Sequence, residues 1–411
     1  MLVRSPHIAG YIRSLFVIDH GHSYRRCFGA QHVDSASSED DQTESSSLNE
    51  DDELGNGEYV VSKPTPIGGA AQKTANLTWR IPRWLANDKY LPRCALLLHH
   101  LKAFTLIYDE EWGFLSSKIH IALLRLMRLP SLLYIQLGSK YPSALFNVAI
   151  GDSVKHLVLH GCPQSANLSV LPRCPSSGPL YVDSLGIYDA FGFLDCHFQD
   201  PNCRIETSRL RKLAVIADTY NDHAAIWTIL QTCHGTLEDF EFTPPNKGKS
   251  VSVAHRLTQS YSPYICFPVM DIDHSDPIDL SKLTSLKRFA VQLRVSYDID
   301  YTAFPWFNGI LLRKDPLPQQ LEEMSIILPS YYQEDDLLPC LKDTFDILLD
   351  DRFKTLKKIN ISVGLDSDDI DVVDVLNSSE PVAKLRSQGD MVVDVRGKHD
   401  VIQLFGVKHD I

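Results

Sequence analysis

The sequence predicts an α/β solenoid, with parallel strands lining a concave sheet and helices on the convex side. Three observations carry this prediction. A short phrase recurs, as Thr284-Ser285-Leu286-Lys287-Arg288-Phe289-Ala290-Val291 and again as Lys354-Thr355-Leu356-Lys357-Lys358-Ile359-Asn360-Ile361. It reads as an apolar anchor, a charged residue, any residue, and two apolar residues two apart. Further copies begin at Leu101, Val154, Leu210, Leu237 and Leu321, and looser ones at Ile12, Leu132 and Val182. The residue after the anchor is charged in every copy except at Leu133, although only 22% of the chain is charged. Finally, helical and strand periodicities alternate along the chain, which implies parallel strands joined by right-handed crossovers.

The charged position is the informative one. With 44% apolar residues, roughly one window in twelve matches the apolar positions by chance. The anchor is also often preceded by a hydroxyl residue: Ser131, Ser153, Thr236, Ser285 or Thr355. The last two apolar residues face one side of a strand. The anchor, three residues earlier, packs beneath the turn into it. One unit cannot bury this apolar face alone, but stacked units share a continuous core.

Taken in order, residues 1–30 form a first repeat and its lead-in, with residues 1–18 reading as a short helix or turn, then a strand. Residues 31–75 form an acidic, Ser-rich insertion, with Asp34-Ser35-Ala36-Ser37-Ser38-Glu39-Asp40-Asp41 and Glu50-Asp51-Asp52-Glu53. Low hydrophobicity and high charge cannot offset ordering entropy, so disorder is expected. Residues 76–411 form the body of the solenoid. Leu91 to His100 reads as a helix leading to a strand at 104–107. Ile119, Leu123, Leu126 and Met127 place a helix over 117–129, stopped by Pro130 and followed by a strand at 134–137. Ile226, Trp227 and Leu230 place another over 223–233, before a strand at 240–242. Leu341, Phe345 and Leu348 place a third over 337–349, before a strand at 359–361. Beyond Leu365 the periodicity fades. Asp366–Asp374 reads as a loop or exposed helix face, and Val392–Val395 as a last strand.

From Leu101 onward the anchors stand 31, 22, 28, 28, 27, 49, 35 and 35 residues apart. Most of these intervals lie near the ~20–29 residues of leucine-rich repeats, the longer ones carrying inserts.

Composition narrows the function classes. The net charge of −12 without a basic cluster argues against binding nucleic acid, whose phosphates demand clustered Lys and Arg. Nine dispersed cysteines without a CxxC pair suit reduced thiols in a cytoplasmic or nuclear protein. No apolar run approaches the ~18 residues of a membrane span, and no signal peptide is expected at the N-terminus.

The opening His7-Ile8-Ala9-Gly10-Tyr11-Ile12-Arg13-Ser14-Leu15, the unit Ser153-Val154-Lys155-His156-Leu157-Val158-Leu159-His160-Gly161-Cys162, and the Ser285-Leu286-Lys287 and Thr355-Leu356-Lys357 units together resemble the repeat portion of fungal F-box/leucine-rich-repeat proteins. The resemblance covers most of residues 1–20 and 90–365. It implies a recognition module whose repeats hold a protein substrate for a ubiquitin ligase, while an F-box docks a Skp-type adaptor. No Leu-Pro-rich F-box precedes Pro6, so adaptor binding is expected only where one is missing from this sequence. The Asn/Cys ladder position, eight after the anchor, is filled as the family has it by Cys162 alone, so an irregular leucine-rich-repeat-like solenoid is expected.

In such a solenoid the side chains alternating with the buried pair face the concave sheet. Tyr134, Gln136, His156, His160, Tyr188, Lys212, Asp239, Glu241, Arg288, Gln292, Lys358 and Asn360 are the expected partner-binding residues. No catalytic, metal or cofactor site is expected, and the chain reads as a monomer. Thr243–Ser250 imitates the end of a phosphate loop but has prolines where N–H donors are needed. His156 and His160 sit too far apart on a strand to share zinc. Asp366–Asp371 lacks the Gly and Glu of a calcium loop. The alternative to a ligase receptor is a stand-alone scaffold for protein interaction.

Overall fold

The computed structural model describes residues 6–19, 84–108, 112–139, 141–142, 150–161, 163–164, 178–188, 204–217, 220–244, 278–293, 303–313, 317–328, 334–364, 370–387 and 392–398 of the chain. The chain divides into two compact units, Met1–Gly29 with Arg83–Ile411, and Ala30–Pro82. The second unit, and with it the acidic insertion expected over 31–75, lies outside the described residues.

The first unit is an α/β structure around one long parallel sheet. Its eleven strands are β1 (Ser14–Asp19), β2 (Ala103–Tyr108), β3 (Tyr134–Ser139), β4 (His156–His160), β5 (Ser184–Tyr188), β6 (Lys212–Ile216), β7 (Asp239–Thr243), β8 (Arg288–Gln292), β9 (Glu323–Leu328), β10 (Lys358–Gly364) and β11 (Val392–Lys398). Spatial order follows chain order without exception, and every neighbouring pair is parallel. All ten copies of the recurring phrase supply a strand, which starts two residues after its anchor. β11 joins the sheet without such a phrase.

The phrase has a physical reading at each position. Nine anchors, Leu101, Leu132, Val154, Val182, Leu210, Leu237, Leu286, Leu321 and Leu356, are buried, and Ile12 packs half-buried on the same core. Each buried Leu contributes about 1.5–3 kcal/mol relative to an exposed one. The apolar pairs that follow, from Phe104 and Leu106 to Ile359 and Ile361, belong to that core too. The hydroxyl before the anchor binds the preceding unit. Ser131 Oγ donates to the Leu101 carbonyl (2.8 Å), Ser153 Oγ to Leu129 (3.1 Å), Thr236 Oγ1 to Leu210 (2.9 Å) and Ser285 Oγ to Gly235 (2.7 Å).

The charged position carries a repeated backbone joint. Its carbonyl accepts two N–H groups from the next unit. Arg13 O receives Lys102 N (2.8 Å) and Ala103 N (3.0 Å), and Glu322 O receives Lys357 N (2.8 Å) and Lys358 N (3.1 Å). The same fork occurs at Lys102, Leu133, Lys155, Asp183, Arg211, Glu238 and Lys287. Leu133 keeps the joint without the charge, so the backbone geometry, not the side chain, is the constant element.

The expected helices form as α2 (Leu91–Ala95), α3 (Ser117–Met127), α4 (Tyr220–Cys233) and α6 (Glu334–Leu348), alongside α1 (Trp84–Asn87), α5 (Ala303–Leu311), α7 (Ile370–Ser378) and α8 (Glu380–Ser387). Ser116 caps α3 by accepting from Ile119 N at 3.4 Å. Ile119, Leu123, Leu126 and Met127 enter the same core as the strands' apolar pairs. α7 takes up the end of the acidic run, from Ile370 to Asp374, and Asp366–Asp369 lie outside the described residues.

Among the described residues, the crossovers from β3 to β6 carry no helix. Short parallel pairs stand there instead, Tyr141–Pro142 with Pro163–Gln164 and Leu180–Tyr181 with Ile205–Glu206. Arg204 donates to the carbonyls of Gly178 (3.0 Å) and Ile150 (3.2 Å) and pairs with Asp152. Cys94 and Cys233 carry free thiols. No helix among the described residues is long and apolar enough to cross a membrane.

Candidate functional site

The strand residues alternating with the buried pairs form a second sheet face, and among the described residues its buried cluster holds strand residues only. Register aligns its side chains in rows. The first runs Ala103, Tyr134, His156, Ser184, Lys212, Asp239, Arg288, Glu323, Lys358 and Val392 across β2 to β11. The second runs Thr105, Gln136, Val158, Gly186, Ala214, Glu241, Ala290, Ser325, Asn360 and Asp394 over the same strands. His160 and Tyr188 pair in the third row, and Gln292 stands in it opposite Ile327. All twelve expected residues therefore lie on this one face.

They do not share one environment. Tyr134 and Tyr188 are each only 4% exposed. They form a small cluster with Ala103 and Val158, on which Ala214 and Ile216 pack. The Tyr188 ring lies over Gly186, where a Cβ would come within 3.0 Å of its hydroxyl. His160 packs against it, ring centroids 4.7 Å apart. Gln136 Oε1 accepts from Tyr134 Oη (3.2 Å) and Thr105 Oγ1 (3.4 Å). Burial pushes Tyr134 up to about 12 and His160 down to about 4. Burial also raises Tyr188, and the nearby Glu241 and Tyr134 add to it. Each shift favours the neutral form at pH 7, so this half of the face is buried and uncharged.

The other half is ionic. Along the first row the sign alternates: Lys212, Asp239, Arg288, Glu323, Lys358. Asp239 pairs with Arg288 at 2.6 Å and Lys212 at 3.7 Å, and Lys358 with Glu323 at 3.4 Å. The residues just before repeat the alternation, as Arg211, Glu238, Lys287, Glu322 and Lys357. Glu238 pairs with Arg211 and with Lys287 (3.1 Å), and Glu322 with Lys357 (2.7 Å). Hydrogen bonds from Arg211 and then Lys287 hold the Glu238 carboxyl below its usual range. Each of these strands thus opens on a like-charged pair, and the pair's sign flips from strand to strand.

Residues of the same face outside the expected set include Glu323, Ser325, Thr105 and Thr243. Glu323 stands two after its anchor, as Lys212 and Arg288 do, so the same rule could have found it. On the outermost strand β1, Phe16 and Ile18 are exposed. Asn360 Nδ2 donates to Ser325 Oγ at 3.2 Å, and Thr243 Oγ1 to Gln292 Oε1 at 3.2 Å. Among the described residues no three His, Cys, Asp or Glu side chains gather as metal ligands. Of the phosphate-loop imitation, residues beyond Pro244 lie outside the described part. No protein-family model and no curated protein matches the chain.

Proposed function

We propose that the chain is a non-catalytic protein-recognition module, an irregular leucine-rich-repeat-like solenoid resembling the substrate-binding part of an F-box ubiquitin-ligase receptor. One observation carries the reading: ten successive units repeat one anchor and one backbone joint, and their strands lie in chain order in a single parallel sheet. Stacking of this kind presents a long face of aligned side chains, the surface solenoids commonly use for partners. The protein substrate would lie across this second face, over the exposed Lys212 and Arg288 and the half-buried Ala214, Glu241 and Ala290. The module works as a monomer in the cytoplasm or nucleus. A Skp-type adaptor joins it only through an F-box supplied from outside the sequence in hand.

The test is affinity purification from the source cells with the wild-type chain, an Ala214→Trp/Ala290→Trp variant that obstructs the face, and a Lys342→Glu variant on α6. A protein retained by wild type and Lys342→Glu but lost by the tryptophan variant supports the reading. Identical retention by all three sinks it. Co-purification of a Skp-type adaptor with the product of the full transcript separates a ligase receptor from a stand-alone scaffold.

A further inference from the structure

The turns leading into β6, β7, β8 and β9 leave an open groove of about 380 Å³ along one end of the sheet. Its charged lining is Arg209, Arg211, Lys287 and Glu238. Among the described residues, three cations thus face one carboxylate, a local balance of +2 in a chain of net −12. Arg211 and Lys287 approach Glu238 from its two neighbouring strands and share its carboxylate. Arg209 has no ion-pair partner among the described residues. Its guanidinium lies 4.3 Å from the centroid of the Tyr181 ring, and Tyr181 is fixed in the short strand pair with Ile205–Glu206. A stacked guanidinium is held in place while its N–H groups remain available to an anion.

We propose that this groove binds an extended, carboxylate-rich peptide segment of a partner protein, with Arg209 as its principal contact. The proposal rests on the recognition reading and adds a second docking element at the strand starts. The dimensions fit. Neighbouring strands stand ~4.8 Å apart, so the three steps from β6 to β9 span ~14 Å, the length of about four extended residues. An acidic chain laid along the groove meets Arg209 and Arg211 first and Lys287 two strands on. Glu238 repels it, which favours carboxylates at the cations over an even anionic surface.

The probe is a fluorescein-labelled octaglutamate peptide, with octalysine and a Gly/Ser octapeptide as controls, titrated by anisotropy against the full chain. Octaglutamate should bind at low salt, weaken as salt is added, and lose roughly tenfold or more in affinity with Arg209→Glu. Arg209→Ala and Lys287→Ala should each lose less, and Lys342→Glu on the helix side should change affinity less than about twofold. Arg209 is exposed, so circular dichroism should find these variants folded. The groove proposal is overturned if octaglutamate fails to bind at low salt, or binds Arg209→Glu as well as wild type. Ala214→Trp/Ala290→Trp leaves the groove intact and should keep octaglutamate. If octaglutamate fails while partner capture still depends on those tryptophans, the groove falls and the recognition reading stands. If both fail, both fall.

Discussion

The ring of Tyr188 lies across Gly186, two residues earlier on the same strand, at a distance that leaves no room for a methyl group: an added Cβ would meet Oη at 3.0 Å and Cε2 at 3.1 Å. Gly186→Ala should therefore displace a buried ring, costing about 1–3 kcal/mol as overpacking, with a few tenths returned through the unfolded chain. Urea denaturation of Gly186→Ala, Tyr188→Leu and the double variant checks it. The two changes should couple by at least ~0.5 kcal/mol, and strict additivity would count against the contact.

The anchors are expected to dominate stability. Leu237 is fully buried between units, and Leu237→Ala should cost about 2–5 kcal/mol. Removing the hydroxyl one residue earlier, as Thr236→Val, loses bonds to the carbonyls of Leu210 and Cys233 and should cost about 1 kcal/mol. The ranking is read from denaturant midpoints at unchanged m-values.

Sign alternation across β6 to β10 makes a charge reversal more damaging than a charge removal. Glu238→Lys places a cation between Arg211 and Lys287, whereas Glu238→Gln only removes their shared partner. The melting temperature should fall further for the lysine variant. The gap should close as salt approaches 1 M, where the screening length is ~3 Å. A salt-independent gap would assign the effect to packing.

Burial of His160 gives stability a pH dependence. Its imidazole titrates near 4 when folded, against an ordinary value of 6.5. Between those values the unfolded chain binds a proton that the folded one refuses. Stability therefore falls as pH drops from about 6.5 to about 4, with a slope of up to ~1.4 kcal/mol per unit, and this group contributes no slope outside that window. His120, lowered by burial despite its bond to the Trp112 carbonyl, acts in the same direction. The carboxyl of Glu238, lowered by Arg211 and Lys287 from 4.5, loses its contribution only below that value. Melting curves between pH 5 and 7 should thus be flatter for His160→Phe than for wild type.

The strands were legible in the sequence because each carries its own punctuation. A hydroxyl, an anchor and a charge announced Asp239 and Arg288 two residues past Leu237 and Leu286, and the apolar pair told one face from the other. The helices at 117–127 and 220–233 were legible from spacing alone. Burial of Tyr134 and Tyr188 was not, because it depends on neighbours such as Val158 and Gly186 that adjoin only once strand order is known. The charge alternation was hidden for the same reason. Arg211-Lys212, Glu238-Asp239, Lys287-Arg288, Glu322-Glu323 and Lys357-Lys358 are merely charged until their strands are set side by side.

Strand order also bears on how the sheet is made. From β2 onward each strand's partner is the one synthesised just before it, so every new rung can dock on a finished edge as it leaves the ribosome. Such growth keeps loop-closure distances short for so large a parallel sheet, a topology that otherwise assembles slowly. The step from β1 to β2 is the widest of them, because the stretch from His20 to Lys102 separates Asp19 from Ala103, and this one closure carries the largest loop-closure cost in the sheet.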